Sequence, residues 1–206
     1  MLNDIRPGAD GSYPINFLAK KDAVYFQAFT STGQVLYKSD GTSKGLQKMI
    51  DLNINAYLTN YAVADNGLIF YVLFSFTTFN YELWRSDGTP TGTYLLNANL
   101  YYNNGLITLD NNAFFTAGDN IHGYELWQSD GKLPGTKMVA DINKGGDGSY
   151  PYSLFAFKNN VYFGAIDNTY KMSFWKSNGN ATIKLKEVFP VPTFNSDYAN
   201  GNIYCA

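Results

Sequence analysis

The sequence predicts an all-β fold: a β-propeller of four-stranded antiparallel blades with about 46 residues per repeat. Three observations carry that expectation. One phrase is written four times, as Val35-Leu-Tyr-Lys-Ser-Asp-Gly-Thr42, Glu82-Leu-Trp-Arg-Ser-Asp-Gly-Thr89, Glu125-Leu-Trp-Gln-Ser-Asp-Gly131 and Ser173-Phe-Trp-Lys-Ser-Asn-Gly179. Its Asp/Asn-Gly pairs begin at Asp40, Asp87, Asp130 and Asn178, giving intervals of 47, 43 and 48 residues, which suit a four-stranded unit. Long amphipathic helical patterns are missing from the sequence, and a parallel β-helix would need a much shorter coil.

Each unit opens on a short apolar segment: Pro14–Leu18, Asn60–Val63, Gly105–Leu109 and Pro151–Phe155. A second strand follows in Val24–Ala28, Leu68–Val72, Ala113–Ala117 and Val161–Ala165, where the first, third and fifth residues are apolar. Alternation then places Phe26, Phe70, Phe115 and Phe163 on one face, as core packed between sheets. Tyr25, Phe114 and Tyr162 fall on the opposite face, and bulk on both faces marks a sheet covered on both sides. The third strand carries Tyr37, Trp84, Trp127 or Trp175 as a further core position.

The turn that follows is built on Asp40-Gly41, Asp87-Gly88, Asp130-Gly131 and Asn178-Gly179. Asp-Gly between apolar runs is a strong hairpin signal. Gly45, Gly92 and Gly135 each lie five residues beyond the aspartate, so the loop has a fixed length. An Asp side chain bonds its own downstream N–H and Gly accepts positive φ, so turn chemistry accounts for the repetition without a ligand. A returning strand, such as Tyr94–Leu96 or Met138–Val139, completes the unit.

Residues 1–206 therefore read as a single repeat domain, with repeats at about 6–53, 54–100, 101–148 and 149–191. Residues 1–5 match the last strand of the third unit, and 192–206 match the start of a fifth blade. The expectation is a fragment of a larger propeller.

Composition narrows the function classes. With 45% hydrophobic and 17% aromatic residues in 206, the chain can bury a sizeable core. Net charge is −2 and the two arginines, Arg6 and Arg85, lie in different units, so no basic patch follows a phosphate backbone and no nucleic-acid partner is expected. No apolar stretch is long enough for a membrane span, and the first residues lack the pattern of a signal peptide. The one cysteine, Cys205, rules out an intramolecular disulfide, and its register matches Phe163, which suggests a buried thiol.

The phrase Glu-Leu-Trp-x-Ser-Asp-Gly-Thr, with Gly-Thr a few residues on and Asp-Ile-Asn-x-Gly after that, resembles the family named for its ELWxxDGT repeat. Asp141–Ser149 and Asp4–Ser12 are similar to its linker, and Gly118–Trp127 to the approach to its signature. The resemblance covers nearly the whole chain. It implies bacterial secreted or surface-attached proteins with propeller-like repeats, often with a C-terminal sorting domain, and it carries over no catalytic residues. An extracellular or cell-surface location follows from the resemblance alone. The first unit departs from it with Val35-Leu-Tyr37, and the fourth with Asn178 and a shorter loop.

Candidate chemistry is sparse. Asp141, Asn143 and Asp147 place oxygen ligands at alternate residues near Gly145, a spacing that suits calcium, although no glutamate closes the shell and Arg6 replaces the asparagine in the Asp4 loop. No other cofactor is indicated. His122, the one histidine, cannot build a multi-histidine metal site and is placed in a hairpin loop. Glu82 and Glu125 could supply paired carboxylates for glycoside hydrolysis, but as equivalent repeat positions they argue for a recurring structural role. Tyr57, Tyr61, Tyr101, Tyr102 and Tyr170 are the least core-like aromatics and suit a protein or glycan surface. The function expected from sequence is a non-catalytic extracellular repeat scaffold, for adhesion or recognition of a surface protein or glycan, or a spacer. The alternative is a carbohydrate-active propeller enzyme or a calcium-stabilised carbohydrate-binding module.

Overall fold

The computed structural model describes residues 4–52, 55–100 and 105–187, together with the backbone of 196–199 and 202–205. The chain is all-β, with four four-stranded antiparallel sheets. The first sheet takes strands β1 (Ile15–Lys20), β2 (Ala23–Thr30), β3 (Gly33–Ser39) and β4 (Gln47–Asp51) in sequence order. The second takes β5 (Ala56–Val63), β6 (Ile69–Ser75), β7 (Tyr81–Ser86) and β8 (Tyr94–Leu100). The third takes β9 (Leu106–Leu109), β10 (Asn112–Asp119), β11 (Gly123–Ser129) and β12 (Lys137–Ala140). The fourth takes β13 (Tyr152–Phe157), β14 (Asn160–Ile166), β15 (Met172–Ser177) and β16 (Thr182–Glu187), and β17 (Ser196–Ala199) pairs with β18 (Asn202–Cys205). Tyr101 and Tyr102 lie outside the described residues, as does the side chain of Cys205.

Two compact units divide the chain, residues 1–98 and 99–206. The first holds the sheets β1–β4 and β5–β8, and the second holds β9–β12, β13–β16 and the β17–β18 pair. In the first unit, Tyr25, Leu36 and Ile50 of one sheet pack on Leu58, Tyr71 and Leu73 of the next. The second unit repeats the joint, with Phe114 and Leu126 packed on Val161, Phe163 and Ala165. Face-to-face burial of such alternating apolar side chains is what holds stacked sheets together. First strands are tied as well: the Tyr61 hydroxyl of β5 donates to the Asn16 carbonyl of β1.

Hairpin register corrects the expected face of one core residue. Phe26 pairs with Tyr37, Phe115 with Trp127 and Phe163 with Trp175, whereas Phe70 pairs with Arg85, and the partner of Trp84 is Tyr71. Phe70 is fully buried, but it lies on the face that carries Tyr25 and Phe114 in the other sheets. The connections between second and third strands enclose residues 31–32, 76–79, 120–122 and 168–170. In every sheet the residue opposite the third-strand aromatic lies four positions before the pair that closes this connection, which is Phe26, Phe115 and Phe163 but Tyr71 in the second sheet, and a one-residue slip exchanges faces.

A second irregularity recurs on the outer strands. Pairing shifts between Leu36 and Tyr37, between Leu126 and Trp127, and between Phe174 and Trp175. Each bulge leaves an extra residue on the fourth strand, and in the first sheet that residue is Met49, which turns onto the core of the first unit.

Candidate functional site

The repeated turn uses each residue of its phrase. Asp40 Oδ1 accepts from the Thr42 N–H at 2.8 Å and the Thr42 hydroxyl at 2.8 Å, and Asp87 does the same with Thr89 at 2.9 and 2.6 Å. Asp130 Oδ1 accepts from the Lys132 N–H at 2.9 Å and Asn178 Oδ1 from the Asn180 N–H at 3.0 Å. Those hydrogen bonds from threonine hold the Asp40 and Asp87 carboxyls below the usual carboxylate range. Positive φ falls on the first glycine of each turn, +87° at Gly41 and +90° at Gly88. The second glycine is required for another reason. A Cβ on Gly92 would lie 2.0 Å from Asp87 Oδ1, and one on Gly135 2.0 Å from Asp130 Oδ1, because the carboxylate folds over the glycine. The expectation of positive φ there is replaced by close approach.

Glu82 and Glu125 lie at equivalent positions on β7 and β11, in different units, and they are used differently. Glu125 is fully buried. It accepts from the Ser149 hydroxyl at 2.5 Å, the Ile142 N–H at 3.2 Å and the Asn143 N–H at 3.3 Å, fastening the linker that follows its sheet. Burial pushes its carboxyl above the usual glutamate range, and these three donors partly offset the push. Trp127, two residues on, keeps a buried Nε1–H with no hydrogen-bond acceptor. Glu82 remains half-buried, and its Oε2 accepts from the Trp84 Nε1–H at 2.9 Å. Trp175 Nε1 donates to the Ala165 carbonyl at 3.3 Å.

The three calcium candidates of the same linker have different surroundings. Asn143 is buried and its side-chain amide donates to the Gly148 carbonyl at 2.8 Å. Asp147 accepts from the Tyr170 hydroxyl at 2.9 Å. Asp141 Oδ1 is buried without a hydrogen bond, and among the described residues no three carboxylate, imidazole or thiol groups come together to hold a metal ion. His122 lies in the β10–β11 connection with Nδ1 at 2.9 Å from Asp119 Oδ2. The hydrogen bond to Asp119 raises the imidazole above its ordinary value. Among the expected surface aromatics, Tyr57 and Tyr170 are exposed, but Tyr61 is buried between first strands. Both arginines are engaged locally: Arg6 pairs with Asp10 at 2.8 Å, and Arg85 donates to the Gly92 carbonyl at 3.1 Å and lies over the Tyr94 ring.

What the sequence did not single out is a cleft of about 680 Å³ between the two sheets of the first unit. One wall is β4, with Met49 and Asp51, and the other is β7, with Glu82 and Trp84. Tyr71 forms the floor, its ring stacked near the Trp84 indole at 6.4 Å between centroids. Its mouth is bounded by the turn at Gly88, where an added Cβ would lie 2.8 Å from Met49 Cε. The signal available in the sequence was the neighbouring Glu and Trp of the repeated phrase, read there as core.

No family model matches the chain, and no curated protein is found similar to it. Solved structures do share its fold. It is similar to a crystal structure of puromycin hydrolase at 12% identity, with a TM-score of 0.58, covering 93% of this chain and 32% of that one. It is also similar to prolyl oligopeptidase B from Galerina marginata at 12% identity, with a TM-score of 0.57, covering 88% of this chain and 28% of that one. An S511A mutant of puromycin hydrolase is matched at 10% identity with a TM-score of 0.54. The chain spans about a third or less of the length of those structures. These likenesses establish a propeller-like all-β fold, and they overturn the expected non-catalytic surface scaffold, because the propellers it is similar to belong to peptidases. The overturned reading had its physical root in the repeated phrase. That phrase encodes a turn and a strand pairing, and neither specifies a partner.

Proposed function

We propose that this chain is a peptidase-associated propeller: a set of blades that closes into a ring and brings peptides to a hydrolase, rather than supplying the nucleophile. The observation that supports the reading is the likeness of its successive four-stranded sheets to the propellers of puromycin hydrolase and prolyl oligopeptidase B. The chemistry of the described residues agrees with a peptide-admitting role. His122 is committed to Asp119, and among the described residues it makes no hydrogen bond to a serine hydroxyl.

The test is equilibrium capture. The purified chain is incubated with a pool of unstructured peptides at ~1 mM, a concentration that detects even weak association, and both retained and cleaved species are read by mass spectrometry. Peptides retained and left intact are the expected result. Retention of oligosaccharides with no peptide retained would overturn the reading, as would cleavage by the chain alone.

A further inference from the structure

The cleft of the first unit has a charge imbalance that its neighbours lack. Asp51 at its rim is paired with Lys48 at 2.5 Å, and Asp87, in the turn beside Gly88, with Arg85 at 3.3 Å. Glu82 has no such cation: among the described residues no lysine or arginine pairs with it. Its Oε2 is oriented by the Trp84 indole N–H at 2.9 Å, and Oε1 has only a long contact, 3.5 Å, from the Thr78 hydroxyl. A carboxylate is therefore held against an aromatic wall with lone pairs left over, while Lys48, a cation that lines the same cleft, is paired with Asp51.

We propose that this cleft binds a guanidinium group, as carried by an arginine side chain of a peptide. A guanidinium is planar, so it stacks on an indole face, and its fork of N–H donors matches a carboxylate. It is also more weakly hydrated than an ammonium, which favours it over lysine in a recess floored by Tyr71 and flanked by Met49. The site rests on the cleft alone; the choice of a peptide as carrier rests on the peptide-handling function proposed above.

The repeat itself marks the arrangement as particular to this joint. In the third sheet the equivalent carboxylate, Glu125, is drawn into the linker by Ser149, Ile142 and Asn143 and leaves Trp127 without an acceptor. The first sheet has Val35 at this position and the fourth Ser173, both fully buried. Glu82 is the member of the set whose carboxylate remains beside its tryptophan.

Three probes separate charge from shape in calorimetric titrations of the whole chain: the N-acetyl methylamides of arginine, of citrulline, its neutral isostere, and of lysine. Arginine amide is expected to bind saturably and to change tryptophan fluorescence, with citrulline at least about tenfold weaker, since the charge-assisted contact is lost. Glu82→Gln should bring arginine down to the citrulline level, and Trp84→Tyr should weaken it while keeping the fold, because Tyr37 occupies the same place in the first sheet. Equal binding of arginine and citrulline, or arginine binding undiminished in Glu82→Gln, would overturn the proposal. So would saturable binding of a neutral oligosaccharide in place of arginine. The two proposals fail separately. Arginine-free peptides captured with no arginine-amide binding would sink the guanidinium site alone, and arginine-amide binding with no peptide capture would sink the peptide-handling function alone.

Discussion

Glu82 and Glu125 both open the tripeptide Glu-Leu-Trp and both sit on the third strand of a sheet, yet one lines an open cleft and the other is sealed. Strand, register and following turn are alike in the two places. The difference comes from what arrives next. After β12 the segment Asp141–Ser149 doubles back across its own sheet and delivers two N–H groups and a hydroxyl to Glu125. Gly148 makes that passage possible: with φ at +69°, it runs so close to β11 that an added Cβ would lie 2.2 Å from the Tyr124 nitrogen. A repeat thus fixes the position of a side chain, while the irregular segment beside it decides whether that side chain is structural or available.

Three perturbations test this contrast, beginning with the largest. Glu125→Ala should cost about 3 kcal/mol or more, because three buried donors lose their acceptor at once, whereas Glu82→Ala, which takes one acceptor from the half-buried Trp84 indole, should cost about 1 kcal/mol. Urea unfolding of both variants reads the difference, and equal losses would mean that the two carboxylates do the same work. Next, Gly92→Ala and Gly135→Ala should each destabilise by about 1–2 kcal/mol, since a methyl group displaces the aspartate folded over it. Here the two regions should respond alike. In each case a second change, Asp87→Ala or Asp130→Ala, should absorb much of the loss in a double-mutant cycle.

The smallest effect is on pH dependence. Burial raises the folded Glu125 carboxyl above its unfolded value. Its contribution to stability is therefore fully present below the unfolded value and fades as pH rises through the folded one. The stability of the parent relative to Glu125→Gln should grow as pH falls from 7 toward the ordinary glutamate range. Carboxyls held low, such as Asp40 and Asp87, lose their contribution on acidification in both proteins and cancel in the comparison.

Much of the scaffold was legible in the sequence because its signals are local. Asp-Gly turns, alternating apolar strands and a fixed period need only neighbouring residues to be read. The register of Phe70 was not legible, since matching Leu68–Val72 to Val24–Ala28 by apolar letters ignores a connection that is longer in the second sheet. Tyr71 is sixteen residues before Asp87, while Phe26 is fourteen before Asp40, and that count held the clue. The cleft was hidden for a different reason. Whether Glu82 faces solvent or a linker depends on contacts made across sheets, which no window of one repeat contains. The Asp141–Asp147 spacing was equally open to a structural use, and at Asn143 the side-chain amide donates to the Gly148 carbonyl of the same loop.

The repeated turn also bears on how the chain ages. Asp-Gly and Asn-Gly steps are where a backbone nitrogen most readily attacks the preceding side-chain carbonyl, closing a succinimide that leads to isomerised or deamidated protein. In this fold both reacting groups are occupied. The N–H of Gly41, Gly88, Gly131 and Gly179 donates to the preceding serine hydroxyl at 3.0–3.1 Å in every unit. The side-chain oxygen of Asp40, Asp87, Asp130 and Asn178 is turned the other way, onto the N–H two residues ahead. Four sequence steps that would be fragile in an unfolded peptide are thereby held apart from their own decay, and the serine that precedes each one acts as a chemical preservative.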